Sequence, residues 1–387
     1  MSAVAIIRSR DRSFVDSVPV IVVGAGACGL TAALAAAERG VDVVVLERDK
    51  RPWGSTGMSI GAVCAVDSAE QRAQGVTDSV DAFVADVMAK TAGRADRKLA
   101  ELVGRESGAA VDWLAERHAV PLKLDFAWTG LGHSRPRLHV PPGRTGEQLL
   151  VLLSQAAERA GVSLVTEALV TDLYADDENR VTGVRIARPD GSHEELGCDA
   201  IVLATCGFGG NHAMIAEYIP EMASARYFGH EGNRGDGINW GHELGAAVAD
   251  MSAYQGLGTL AEPQSIIVPH TLLIDGGVLV NARGERFIHE LDNISGMCVP
   301  VLAQPGGIAW VLFDERLLQI SLQHSVELQQ LLDLGAVKQA TTLAELATVI
   351  DVPAEALCGT LAAVASNKAT GAQDHYGRSF ASLAPLA

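Results

Sequence analysis

The chain has 387 residues, with 30 basic against 47 acidic side chains and a net charge of -17, a surplus that repels nucleic-acid backbones and anionic lipid surfaces and argues against both as partners. Hydrophobic residues make up 48% of it and charged ones 20%, the balance of a water-soluble globular protein with room for about two domains, and no apolar run approaches the ~18 to 20 residues that a bilayer span needs. The start has no secretory pattern, since the apolar stretch Ala3 to Ile7 runs into Arg8, Arg10, Asp11 and Arg12, and the six cysteines (Cys28, Cys64, Cys198, Cys206, Cys298, Cys358) form no CxxC; the expectation is a cytoplasmic chain with reduced, mostly structural thiols.

In chain order, Val18 to Val23 (Val-Pro-Val-Ile-Val-Val) is a β-branched run of the kind buried on both faces of a parallel sheet, and a glycine turn stops it. Cys28 to Arg39 is rich in Ala and Leu and ends at Gly40, which predicts a helix with its C-cap. Val41 to Leu46 predicts a second buried strand, so residues 19 to 47 make one βαβ unit. Helical spacing recurs at Leu99 to Arg117 and Gly146 to Ala160, and short strands follow at Val162 to Val165 and Ala168 to Tyr174. Turns at 176 to 179 and 189 to 191 separate these from Val181 to Ala187 and from Glu194 and Leu196, a small antiparallel meander, before the apolar strand Ala200 to Ala204. Trp240 to Val248 is helix-like; strands are expected at Val278 to Asn281 and Ala309 to Phe313, and one helix over Leu317 to Leu334.

Gly24-Ala25-Gly26-Ala27-Cys28-Gly29 is a GxGxxG between the first strand and the first helix. In such a turn Gly24 permits the tight bend, Gly26 lets the backbone approach a pyrophosphate, and Gly29 lets helix and strand pack closely, while the helix N-terminus offers free N–H groups to phosphate. Glu47, at the end of the second strand, has the position of an acid that accepts hydrogen bonds from a ribose diol. Together these predict dinucleotide binding without deciding between NAD and FAD.

Four further stretches carry a resemblance to the flavoprotein family of fumarate reductases, succinate dehydrogenases and ketosteroid dehydrogenases. They are Arg51-Pro52-Trp53-Gly54-Ser55-Thr56-Gly57-Met58-Ser59-Ile60-Gly61; Ala204-Thr205-Cys206-Gly207-Phe208, with Cys206 where the family has glycine; Gly235-Asp236-Gly237; and Val280-Asn281-Ala282-Arg283-Gly284-Glu285-Arg286-Phe287. The resemblance implies an α/β fold with a Rossmann-like FAD-binding domain over 19–249, after an N-terminal extension at 1–18, and an α+β substrate-capping domain over 250–387. It implies FAD contacts from Gly24, Gly26, Ala27, Cys28, Gly29, Glu47 and Arg48, then from Gly54, Ser55, Thr56, Ser59 and Gly61, and from Val170, Ala204, Thr205, Gly207 and Asp236. Residues 53 to 61 contain no His, so non-covalent FAD is expected.

Where the family's dicarboxylate reductases carry a His and an arginine clamp, the matching positions here are Leu257 and Leu273. A dicarboxylate would be left unpaired against them, at a cost of several kcal/mol. The implied activity is hydride exchange between flavin and a CH–CH bond next to a carbonyl, in a steroid-like or other enone or ketone, with Leu257 and Leu273 as an apolar cleft wall and an unknown electron acceptor or donor. Tyr254 and His270 are the candidates for moving the substrate proton, and Arg144 and His139 for binding a substrate oxygen. Plainer roles exist: a cap-core side chain for Tyr254, a loop residue for His270, an ion pair with an acid such as Glu147 for Arg144. His133, His139, His230 and His242 show no metal-ligand spacing.

Family members continue beyond the cap with a segment that returns to the flavin ring, whereas this sequence stops at Leu383-Ala384-Pro385-Leu386-Ala387. The alternatives are therefore a catalytically silent FAD- or ADP-binding protein or truncated subunit, and, on the βαβ unit alone, a nicotinamide dehydrogenase.

Overall fold

A computed structural model describes residues 5–8, 12–126, 129–130, 132–323, 325–380 and 386. The end of the chain, Leu383 to Pro385 and Ala387, thus lies outside the described residues. The chain divides into two compact units, one running to Asn211 and including Gly229–Ala249, the other made of His212–Phe228 and the chain from Asp250 onward.

The first unit is built on strands β1 (Ala5–Arg8), β2 (Ser17–Val23), β3 (Val43–Leu46), β4 (Val63–Cys64), β5 (Lys123–Leu124), β6 (Leu138–Val140), β7 (Ser163–Val165), β8 (Leu169–Ala175), β9 (Val181–Ala187) and β10 (His193–Leu203). Seven of them form one sheet in the order β1-β8-β9-β10-β2-β3-β7, and β4-β6-β5 form a small second one. The centre is parallel: Val202 of β10 pairs with Val22, Val22 with Val45 of β3, and Val45 with Leu164 of β7. Parallel pairing buries both faces, which is why Ile21, Val22 and Val45 are fully buried and why these strands read as unbroken β-branched runs. Helix α1 (Ala27–Ala37) covers one face through Leu30, Ala33 and Leu34, and helix Gly146–Arg159 packs beside it through Leu149, Leu150 and Leu153.

The predicted meander is present, but its last strand is longer than its hydrophobic pattern. β10 runs without interruption from the polar His193-Glu194-Glu195 to the apolar Ile201-Val202-Leu203, first antiparallel to β9 and then parallel to β2. The stretch expected as an extension also enters the fold. Ala5–Arg8 pairs in parallel with β8, and Phe14 meets Tyr174 edge-on at 5.4 Å. Gly183 and Gly197 make room for that ring, since a Cβ on either would come within 3 Å of it. Four residues paired at a sheet edge are too short for alternation to reveal.

In the second unit Val278–Val280 pairs antiparallel with Trp310–Leu312, and Leu260–Ala261 with Ile266–Ile267. The single helix expected over Leu317 to Leu334 is two, Glu315–Leu322 and Val326–Asp333, with Asp314 and Ser325 as their N-caps. Ser325 accepts from the Leu328 amide at 3.2 Å, so a cap restarts the helix inside a stretch whose apolar spacing continues through it.

Leu273 is fully buried in the interior of this unit with Leu279, Ile294, Met297 and Val301, and Leu257 packs on the same cluster. This corrects the expectation of an apolar cleft wall for Leu273, whose side chain is taken up by the core, whereas Leu257 is only partly buried. Beside them runs a buried ionic network. Arg286 pairs with Glu290 at 2.7 Å and with Asp374, and Arg378 pairs with Glu290 at 2.7 Å. Arg378 also donates to the carbonyls of Leu273 at 2.7 Å and Gly277 at 3.0 Å. Two cations face two anions, so the network is neutral, as burial of charge requires.

Candidate functional site

The glycine bend is set by close approach. Gly24 has φ 105°, and a Cβ there would lie 2.5 Å from the Ala204 carbonyl oxygen. A Cβ on Gly29 would lie 1.9 Å from the Gly24 oxygen, which locks helix α1 against the turn. Gly26 is different. It is the N-cap of α1, with φ of -72° and no side-chain cap, and the nearest atom to an added Cβ is Thr56 Oγ1 at 3.5 Å. Protein packing does not require glycine at this position, whereas the close approach of a phosphate does.

The bend opens on a cavity of about 400 Å³. Gly24, Gly26, Ala27 and Cys28 line one side of it, and Glu47 and Arg48 come in from the end of β3. Gly54, Ser55 and Thr56 form a further wall, with the Thr56 hydroxyl accepting from the Ala27 amide at 3.1 Å. Val170 closes the apolar end beside Leu46 and Trp240, and Ala204, Thr205 and Asp236 complete the surround. A groove of about 470 Å³ along helix Gly146–Arg159 is larger, but its charged rim, Arg51 with Glu147 at 2.8 Å, is already paired. The smaller cavity has the converging polar groups.

Glu47 is buried, and each of its oxygens accepts one backbone amide: Oε2 from Ala25 and Oε1 from Asp49, both at 3.0 Å. Each retains a lone pair for a hydroxyl donor. Asp236 opens a short helix after Gly235, which has φ 79°, and the Gly237 amide donates to Thr205 Oγ1 at 3.2 Å. Burial pushes the Asp236 carboxyl above its usual range, an effect that Arg48 and Arg234 only partly offset. Cys206 has φ 63°, the left-handed region that favours glycine, and its thiol lies 3.2 Å from the Ser55 hydroxyl.

Gly29, Ser59, Gly61 and Gly207 stand behind this lining. The Ser59 hydroxyl donates to the Thr56 carbonyl at 2.7 Å, and the Ser59 carbonyl accepts from Gly146 at 2.7 Å. Gly61, at φ 71°, passes the Thr145 carbonyl so closely that a Cβ would lie 2.7 Å from it. The Gly207 carbonyl accepts from Gly235 at 3.0 Å.

Of the residues singled out for substrate chemistry, Arg144 and His139 belong to the same unit as this cavity but do not line it. Arg144 pairs with Asp125 at 2.7 Å, while Glu147, its expected acid, holds Arg51. His139 is fully buried, with Nδ1 2.8 Å from the Arg137 carbonyl and Nε2 2.7 Å from the Ser68 hydroxyl, and burial lowers its pKa. Both of its nitrogens are committed, so it is a core histidine and binds no substrate oxygen. Tyr254 and His270 lie in the second unit. Burial and the nearby Glu221 raise the Tyr254 pKa; burial lowers that of His270, whose Nε2 is 3.3 Å from Thr259 Oγ1.

Sequence inspection missed Asp49, His230, Gly232 and Asn233, which share the lining of the cavity with Arg48. His230 Nε2 is 3.0 Å from Asp49 Oδ2, and Arg48 donates to the Gly232 carbonyl at 3.1 Å. The sequence signals were the place of Asp49 directly after Glu47 and Arg48, and that of His230, Gly232 and Asn233 just before Gly235-Asp236-Gly237.

Residues 19–378 match the family model described as FAD binding domain. The chain is 32% identical to "Probable fumarate reductase Ifc3" of Shewanella frigidimarina (strain NCIMB 400) across 78% of its own length and 51% of that relative's. The match thus spans about half of that relative's length. A flavocytochrome c3 fumarate reductase in its open conformation superposes with a TM-score of 0.80 at 29% identity, over 95% of this chain and 64% of that one. A 3-ketosteroid-delta4-(5alpha)-dehydrogenase from Rhodococcus jostii RHA1 shares the fold, with a TM-score of 0.75 at 24% identity over 98% and 84% of the two chains.

Proposed function

From the premise that the chain belongs to the FAD binding domain family, we propose that it is a flavin-dependent oxidoreductase acting on a CH–CH bond next to a carbonyl, in a substrate other than a dicarboxylate. The residues around the glycine bend fit the cofactor. The space in front of Gly26, the uncapped N-terminus of α1 and the buried Glu47 suit the pyrophosphate and ribose, and Val170 with Trp240 suits the apolar base. Bound FAD supplies the hydride acceptor or donor.

The substrate class rests on one observation. At the two positions where the family's dicarboxylate reductases carry a His and an Arg, this chain has Leu257 and the fully buried Leu273. Arg378, which donates to the Leu273 carbonyl, and Arg286 are neutralised by Glu290 and Asp374. A substrate carboxylate would therefore find neither of these two cations free.

Tyr254, whose raised pKa keeps its proton at neutral pH, serves as the proton donor when the bond is reduced. His270, which burial keeps neutral, serves as the acceptor in the reverse direction. The test is to load the protein with FAD, reduce it anaerobically and add fumarate or a panel of cyclic enones, following flavin absorbance. Reoxidation by an enone and not by fumarate is expected; reoxidation by fumarate overturns the substrate class.

A further inference from the structure

We infer that His230 to Asn233 form a strap that holds the adenosine half of the dinucleotide, with His230 as its positioning residue. The inference presupposes FAD in the cavity, as proposed above, and adds which part of the chain retains it.

The strap joins two walls of the cavity that come from distant parts of the sequence and has a further anchor beyond the lining. At the β3 end, His230 Nε2 lies 3.0 Å from Asp49 Oδ2, and Arg48 reaches both the Gly232 carbonyl at 3.1 Å and His230 Nδ1 at 3.2 Å. On the second wall, Asn233 Nδ2 donates to the Ser55 hydroxyl at 2.9 Å. Beyond the lining, the Asn233 carbonyl accepts from Gly210 at 2.8 Å. The strap closes on itself as a turn, with the Asn233 amide donating to the His230 carbonyl at 2.9 Å.

The hydrogen-bond directions fix the role of the imidazole. Arg48 can only donate, and the Gly232 amide also donates to Nδ1 at 3.2 Å. Nδ1 is therefore the acceptor, and Nε2 carries the proton given to Asp49. One neutral ring thus binds the cation at residue 48 and the carboxylate at residue 49 in fixed places, directly after the ribose acid Glu47. Gly232 is part of the device, because a Cβ there would fall 1.3 Å from an Arg48 guanidinium nitrogen. Arg48 is bonded to the strap through both terminal nitrogens, Nη1 to the Gly232 carbonyl and Nη2 to His230 Nδ1, and cannot withdraw without breaking both bonds. Since Glu47 faces the adenosine ribose, the strap acts on that half of the cofactor and not on the flavin ring.

The test compares FAD and ADP-ribose binding to the full chain by calorimetry for the wild type, His230→Ala and His230→Asn, with the melting temperature of each apoprotein. Asn keeps an acceptor for Arg48 and Gly232. The expected result is a loss of about tenfold in affinity in His230→Ala, equal for FAD and ADP-ribose, with an unchanged apoprotein melting temperature and with most of the loss recovered in His230→Asn. Wild-type affinity in His230→Ala overturns the strap, as does a loss confined to FAD, or a loss that follows a lower melting temperature and is not recovered by Asn. A wild type that binds ADP-ribose but no enone-reactive FAD defeats the proposed function and leaves the strap standing.

Discussion

The carboxylate of Glu47 accepts a hydrogen bond from the amide of Ala25 at 3.0 Å, so the acid at the end of one strand holds the glycine bend at the end of its neighbour. The acid and the turn are thus a single hydrogen-bonded object, to which the proposed ribose and phosphate contacts both belong. Glu47→Gln removes the charge and replaces one of the two accepting oxygens by an NH2 group, which cannot accept from the Ala25 or Asp49 amide. Hydrogen bonds to a charged group contribute about 1.5–3 kcal/mol, and FAD affinity measured by calorimetry should fall roughly ten- to a hundredfold.

Gly26 and Gly29 are three residues apart and should fail in different ways. A Cβ on Gly29 meets the Gly24 carbonyl at 1.9 Å, whereas one on Gly26 meets nothing closer than 3.5 Å. Gly29→Ala should therefore destabilise the protein by about 3 kcal/mol or more, as overpacking against backbone does. Gly26→Ala should fold with an unchanged melting temperature and retain no FAD. Equal melting temperatures for the two variants would refute the distinction.

Arg137 is fully buried between Asp78, at 2.6 Å, and Asp86. Burial alone would raise the Asp86 carboxyl, but hydrogen bonds from Arg137 and Ser134 outweigh it and hold the pKa at about 2, below its ordinary 3.8. A depressed carboxylate contributes stability that is present above its unfolded pKa and is lost as the pH falls through the folded one. Chemical denaturation should show stability declining from about pH 4 towards about pH 2. Arg137→Ala, which leaves Asp78 buried without its cation, should cost about 3–5 kcal/mol at neutral pH, and the gap from wild type should narrow on acidification.

Asp236 has the opposite sign. Its folded pKa is raised by burial, so ionisation destabilises the apoprotein as the pH rises through that range. Asp236→Asn should raise the melting temperature of the apoprotein, by more at pH 7 than in acid. An Asn variant less stable than wild type at pH 7 would show that the charge is stabilised after all.

The local parts of the site were legible in the sequence because each depends on a few contiguous residues. A β-branched run, a glycine turn and an Ala-rich helix are fixed by backbone sterics and burial, and the expected Val18 to Val23 and Cys28 to Arg39 lie within a residue or two of Ser17–Val23 and Ala27–Ala37. What exceeded such windows was missed. β1 is four residues long and gains its place only by pairing with β8, more than 160 residues away in sequence. The break at Ser325 is a hydrogen bond from a side chain to an amide, which apolar periodicity does not register.

Among single residues the division is as clear. The sequence alone determined that Gly24, Gly26 and Glu47 meet at one cavity, since a βαβ unit of fixed length brings its turn and its second strand end together. Only the tertiary structure decided that Leu273 faces the interior, that His139 is held by Ser68 and Arg137, and that His230 joins Arg48 and Asp49. Those outcomes depend on which distant segments pack together, and a side chain's chemistry does not reveal its neighbours until the backbone has brought them within bonding distance.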